Sequence, residues 1–317
     1  MKIVKLTTPW NHNFYAQTPG GKGIWGNYQF EIDNNCAECD VWIVWGGMRQ
    51  EQQVYCPKKA IVYMTDETHS ERNFNKHFLN QFEAIVACRT DLIHKRIIQT
   101  HDLGIWHFKK NYEDVISLEV PDKTRTISVV SSDLTFLDGH KKRYAFVNKL
   151  IGHFKDRIAV YGRGFNYIED KFDGIAPYKY SIAIENSFIP NYFTEKLFEC
   201  FLTYTLPIYY GCPNINDYFD DRCIVKINLD DYKESISTIE QLLEEDLYKD
   251  RIAYVSEARE KFLTFFHVFP SLVSIINTKI QVNSGRKEKI TLKPELYFDN
   301  LQNTNNSFIR RFLKNIS

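Results

Sequence analysis

The sequence predicts an α/β protein built from two successive Rossmann-like halves, and three observations carry that reading. Short runs rich in β-forming residues alternate with longer stretches of helical period, the pattern of parallel sheets covered by helices. The runs fall into two series, divided by the polar segment 109–125 with its one proline. The length also allows two cores: 317 residues, 44% hydrophobic and 15% aromatic, against roughly 100 to 200 residues per domain.

In the first series the strand candidates are Lys2 to Leu6, Val41 to Trp45, Ala60 to Met64 and Glu83 to Ala87, with helical stretches near Asn73 to Asn80 and Asp91 to Gln99. The second series starts after Pro121-Asp122 with strands at Thr126 to Ser131, Ile158 to Tyr161, Tyr180 to Ile184, Pro207 to Tyr210 and Cys223 to Ile227. Helices are expected between them near His140 to His153, Thr194 to Tyr204, Glu234 to Glu244 and Leu247 to Phe265. This divides the chain into a domain over 1–120, a second over 121–290 and a charged, asparagine-rich tail over 291–317. Within the tail, Ser307-Phe-Ile-Arg-Arg-Phe-Leu-Lys314 reads as a short basic amphipathic helix that either packs back on the protein or touches a membrane surface. For two such halves the default ligand site is the crevice at the carboxyl ends of the strands.

Forty Lys and Arg residues balance forty Asp and Glu, a formal net charge of zero. That disfavours a long nucleic-acid footprint or a polybasic membrane arm and leaves room for local basic pockets. No window approaches the ~18 to 20 apolar residues of a membrane span, and the first residues run straight into a strand without a cleavable leader. The expectation is a soluble, cytoplasmic chain, with peripheral contact through the tail as the open alternative. Seven cysteines, an odd number thinly spread, read as reduced thiols. Cys36-Ala-Glu-Cys39 has ligand spacing but no second pair near it in sequence. His94, His101 and His107 are seven and six residues apart, which does not put them on one helical face.

Residues 178–211 carry the chemistry. A strand ends at Ile184 and leaves Glu185, Asn186 and Ser187 at its carboxyl edge; an irregular loop with Pro190 follows. Thr194 then caps a helix whose apolar residues Leu197, Phe198, Phe201 and Leu202 recur at helical spacing. Glu195 and Lys196 therefore occupy the first turn, where free N–H groups and the helix dipole favour an anion. A diphosphate against Lys196, with Glu195 accepting from sugar hydroxyls, suits this arrangement. A capped surface helix with a solvated charge pair is the plain alternative.

Tyr180-Ser-Ile-Ala-Ile-Glu-Asn-Ser187, Tyr192-Phe-Thr-Glu-Lys-Leu197 and Leu206-Pro-Ile-Tyr-Tyr-Gly211 together resemble the signature of the family 10 glycosyltransferases, the α-1,3/4-fucosyltransferases. The resemblance spans about 35 residues with nearly every polar position in register. It implies a GT-B architecture, two Rossmann-like domains facing a central cleft. It also implies inverting transfer of L-fucose from GDP-β-L-fucose to an acceptor glycan hydroxyl, for instance on a lipopolysaccharide or surface polysaccharide. Donor contacts then fall on Glu185, Asn186, Tyr192, Glu195 and Lys196. Arg143, in Gly139-His-Lys-Lys-Arg-Tyr-Ala-Phe146, stands where the family keeps an arginine for the donor phosphates. Arg163, in Tyr161-Gly-Arg-Gly-Phe165, is a further donor-site candidate.

The N-terminal half is expected to bind the acceptor and supply a carboxylate base. Asp66, Glu67 and His69 lie just beyond a strand, in a stretch loosely similar to the Phe-Glu-Ser-Pro-x-His of animal members, and Glu67 is the closest match to their glutamate. Asp91 answers to the later position used in bacterial members. The sequence departs from both patterns, so Glu67, Asp66 and Asp91 all stay candidates. Trp10, Tyr15, Trp25 and Tyr28 are candidates for stacking on sugar rings. No Asp-x-Asp element is placed to bridge a diphosphate through a metal, so metal-independent transfer is expected, without a required cofactor. The competing readings are transfer from another nucleotide sugar and a non-catalytic nucleotide- or glycan-binding module. A nicotinamide-dependent oxidoreductase is disfavoured, since no Gly-x-Gly-x-x-Gly follows the first strand.

Overall fold

The computed structural model describes residues 1–65, 67–280 and 285–301. Asp66 and the 307–314 segment therefore lie outside the described residues. The chain forms two units, one of Met1–Thr100 with the described residues from Leu272 onward, the other of His101–Ser271.

The first unit runs through β1 (Lys2–Thr7), β2 (Ile24–Trp25), β3 (Tyr28–Ile32), β4 (Val41–Trp45), β5 (Gln52–Cys56) and β6 (Ile61–Thr65), then α1 (Lys76–Leu79), β7 (Ala84–Ala87) and β8 (Ile97–Gln99). Seven strands form one sheet in the order β2-β3-β1-β4-β6-β7-β8, parallel except for β2 against β3. Strands β4 and β6 are buried along their whole length, as uninterrupted apolar runs in a covered parallel sheet must be. The helix expected over residues 91–99 does not form. Its β-branched end, Ile97 and Ile98, pairs instead with Ile85 and Val86 and extends the sheet.

The second unit contains α2 (Tyr112–Ile116), β9 (Arg125–Val130), α3 (Asp138–Phe154), β10 (Ala159–Tyr161), α4 (Lys171–Ile175), β11 (Tyr178–Ile184), α5 (Glu195–Leu202), β12 (Leu206–Tyr210), β13 (Val225–Lys226), α6 (Tyr232–Glu245) and α7 (Tyr248–Lys261). Its five strands are all parallel, in the order β10-β9-β11-β12-β13. The chain leaves β9 toward one edge and returns past it to β11, so the topological switch point lies between the carboxyl ends of β9 and β11.

The boundary between units falls near residue 100 rather than within 109–125. Trp106 and Phe108, just before the polar segment, and Val115 within it are buried in the second core. The Gly104 N–H donates to the Phe266 carbonyl at 2.9 Å and the Gly104 carbonyl accepts from Val268 N–H at 2.8 Å. The chain leaves the second unit inside α8 (Val268–Lys279), and β14 (Glu288–Leu292) then pairs antiparallel with β5. The described residues between 272 and 290 thus belong to the first unit, not the second. The start of the expected tail is also tied down: Glu295 takes the Arg72 guanidinium at 2.7 Å and the Asn75 N–H at 2.6 Å. Among the described residues no helix is long and apolar enough to cross a membrane.

Candidate active site

At the switch point of the second unit a cavity of about 300 Å³ opens over the ends of β9, β10 and β11. Its lining includes Ser131 and Ser132 after β9, Gly162 and Arg163 after β10, Ile184 of β11, Arg143 of α3, Lys171 of α4, and Glu195 and Lys196 of α5. Two glycines let backbone segments meet around it. Gly162 lies at φ +112° with the Ser131 carbonyl where a side chain would stand. Gly139, in the first turn of α3, leaves no room for a Cβ against the Asn186 carbonyl.

The amino end of α5 is built on a buried carboxylate. Glu185, 1% exposed, accepts from the Thr194 N–H and from the Thr194 hydroxyl, both at 2.7 Å. Thr194 caps the helix by accepting from Lys196 N–H. Lys196 Nζ stands 3.4 Å from Glu185 Oε2 and 3.1 Å from Glu195 Oε1. Burial opposes the charge on Glu195, but Lys196 and Lys171 outweigh it and hold the carboxyl well below the usual range. Burial likewise opposes the Lys196 ammonium, and Glu195 and Glu185 outweigh that, so its affinity for a proton rises. The first turn thus presents an ionised carboxylate and an ammonium together.

On the facing helix, Arg143 donates through Nη1 to Asn186 Oδ1 and through Nη2 to Ser132 Oγ, the latter at 3.2 Å. One guanidinium therefore joins the end of β9 to the loop after β11, beside the Lys196 ammonium. Arg163 is exposed at the rim and pairs with Asp133 at 3.0 Å.

Of the donor residues expected from the sequence, Arg143, Arg163, Glu195 and Lys196 line the cavity, and Asn186 is held by Arg143. Glu185 is placed differently. Its side chain turns inward and supports Thr194 and Lys196 instead of presenting its oxygens at the strand's edge. Tyr192 is buried, 4% exposed. Lys171 and Glu199 enter the site without having been anticipated. Lys171 sits on the short α4, in a stretch with no helical period to mark it. Glu199 had a legible signal: it stands between Phe198 and Cys200 on a buried helix, and a carboxylate there demands a partner.

In the first unit, Glu67 and Asp91 follow the ends of β6 and β7, and their settings differ. Arg89, nearly buried, grips Asp91 with Nε at 2.7 Å and Nη2 at 2.5 Å, which holds the Asp91 carboxyl below its ordinary value. Arg89 Nη1 also donates to the Arg72 and Glu67 carbonyls, at 2.6 and 3.3 Å. Glu67 is half-buried, and that burial together with nearby Glu71 raises its carboxyl pKa, against the pull of Arg72 and Arg89. Glu67 is thus the better proton acceptor of the two. Tyr28 and Tyr15 are structural, their hydroxyls bonded to Asn277 Oδ1 and to the Ile32 N–H, while Trp10 is 37% exposed and packs edge-on against Trp45. All seven cysteines are free thiols. Among the described residues no group of three or more His, Cys, Asp or Glu side chains is arranged to hold a metal ion.

Two α/β units built on parallel sheets, the second with a charged helix start at its switch point, are the parts of a GT-B fold. A solved α1,3-fucosyltransferase shares this fold, with a TM-score of 0.51 at 16% identity over 85% of this chain and 92% of its own. Residues 120–265, in the second unit, match the family model described as "Glycosyltransferase family 10 (fucosyltransferase) C-term". An alpha-(1,3)-fucosyltransferase of Helicobacter pylori is 29% identical over 80 residues, 25% of this chain and 16% of that protein. Alpha-(1,3)-fucosyltransferase B of Drosophila melanogaster is 43% identical over 44 residues, 14% of this chain and 10% of that protein. The chain thus spans less than a fifth of either relative's length.

Proposed function

We propose that this chain transfers L-fucose from GDP-β-L-fucose to a hydroxyl of an acceptor glycan, with inversion at the anomeric carbon. The observation that carries the reading is the α5 start, where the ionised Glu195 and the Lys196 ammonium share one cavity with the Arg143 guanidinium. Arg143 and Lys196 neutralise the diphosphate, Glu195 accepts from the ribose hydroxyls, and Asn186, fixed by Arg143, orients the donor. The acceptor oxygen attacks the anomeric carbon, the bond to the diphosphate oxygen breaks, and GDP leaves with that electron pair. The acceptor's proton goes to a carboxylate, assigned to Glu67 because its raised pKa makes it the stronger base. Two fixed cations supply the charge a divalent ion would otherwise bring, so the reaction proceeds without an essential metal. The acceptor class is a surface glycan, and the chain is taken to act in the cytoplasm.

Thermal unfolding with a panel of GDP- and UDP-sugars tests the donor, because a ligand bound only by the folded state raises Tm by mass action. GDP and GDP-fucose should stabilise and UDP-sugars should not; the reverse ranking would replace the donor assignment. Binding of GDP-fucose without transfer or hydrolysis, in wild type and Glu67→Ala alike, would identify a binding module instead.

A further inference from the structure

The α5 helix carries an unusual buried charge. Its inward face is made of Leu197, Phe198, Phe201 and Leu202, yet Glu199 is only 1% exposed beside them. A lone carboxylate there would be costly, and both its oxygens are taken. Oε1 accepts from the His107 N–H at 2.7 Å, and Oε2 lies 3.2 Å from Lys171 Nζ. The same Nζ stands 3.8 Å from Glu195 Oε1. Five charges therefore alternate along one line: Glu185, Lys196, Glu195, Lys171 and Glu199, at 3.4, 3.1, 3.8 and 3.2 Å. The two end carboxylates are buried and the three middle groups line the cavity.

Each buried end fixes one lysine, and the two lysines fix Glu195 between them. Lys196 already has a phosphate role in the donor reading, whereas Lys171 does not. We infer that Lys171 is a positioning residue: anchored by Glu199, it holds Glu195 aimed so that both carboxylate oxygens are presented to the ribose hydroxyls of the nucleotide. This inference rests on the donor reading above. Removing Lys171 leaves Glu195 free to swing toward Lys196 alone and leaves Glu199 buried without its cation.

The test is the affinity of GDP against 2′-deoxy-GDP, measured calorimetrically on the full chain. Wild type should prefer GDP by roughly tenfold or more, the scale of a hydrogen bond to a charged group. Lys171→Met should bring that preference close to unity while the nucleotide still binds, and Lys171→Arg should restore most of it. Where Lys171→Met fails to fold, the double variant Lys171→Met/Glu199→Met removes the stranded carboxylate and should show the same lost preference. Equal weakening of both nucleotides with the ratio intact would make Lys171 merely structural and overturn the inference. A wild-type protein that binds GDP without preferring it would overturn it too, leaving the donor reading in place. Failure of the wild type to bind either nucleotide would instead defeat the donor reading itself.

Discussion

Replacing Gly139 with alanine should damage donor binding through backbone geometry alone. A Cβ at this position would lie 1.7 Å from the Asn186 carbonyl oxygen and 2.8 Å from its carbonyl carbon, and neither atom can rotate away. Restoring ordinary contact near 3.5 Å requires α3 and the Asn186 loop to part by about 1 to 2 Å. Arg143, one turn along the same helix, would be drawn off Asn186 and Ser132. Overpacking of this kind costs about 1 to 3 kcal/mol, and a displacement of about 1 Å at a reacting centre costs about 100-fold in rate. The same helix supplies its own control. A Cβ on Gly152 meets nothing within 4 Å, so Gly152→Ala should stabilise by about 0.5 to 1 kcal/mol through helix propensity. Urea unfolding of both variants, with calorimetric GDP titration, reads the divergence. A Gly139→Ala protein with the wild-type urea midpoint and a GDP affinity within twofold of wild type would refute the close approach of α3 to Asn186.

Lys196→Ala should lower kcat/KM for the donor by about 100- to 1,000-fold, the range for a lost electrostatic donor. It should also lower Tm, since the wholly buried Glu185 carboxylate loses its cation; an unchanged kcat/KM would remove Lys196 from the phosphate site. Glu67→Gln should abolish transfer yet leave GDP affinity intact, while Asp91→Asn should retain transfer, because Asp91 is already committed to Arg89. Loss of activity in Asp91→Asn with retention in Glu67→Gln would exchange the two roles. The pH profile has a definite sign: Glu67 acts only when ionised, so kcat/KM falls as pH drops through its pKa. Burial and Glu71 raise that pKa, which places the acid limb above the ordinary glutamate value of about 4.3. A limb at or below that value would show another group to be the base.

The parallel strands were readable because each is a short run of β-forming residues, and Val41 to Trp45 matches β4 residue for residue. The helix start at Thr194 was readable because capping chemistry is local. What stayed hidden depends on distant partners. Strands β5 and β14 are mostly polar, half-exposed runs, and only their mutual pairing makes them strands. The domain boundary is hidden for a related reason: Val115 sits within the polar segment 109–125 and Trp106 and Phe108 just before it, and only tertiary packing puts all three in the second core. At the site, the spacing located Glu195 and Lys196, but the inward turn of Glu185 and the reach of Lys171 are tertiary facts. The sequence favours Glu67 as the base and keeps Asp66 and Asp91 open, and the grip of Arg89 on Asp91 is a tertiary difference that it does not display.

The pairing of β5 with β14 also constrains how the molecule is made. Residues 52–56 emerge from the ribosome early, but their partner strand, residues 288–292, follows more than 200 residues later. At about 5 to 20 residues per second that is a wait of roughly 10 to 50 s. The second unit is continuous from His101 to Ser271 and can fold during that interval. Of the two units, the one whose synthesis starts earlier is therefore completed later, and a chain cut after Ser271 would leave β5 without its partner strand.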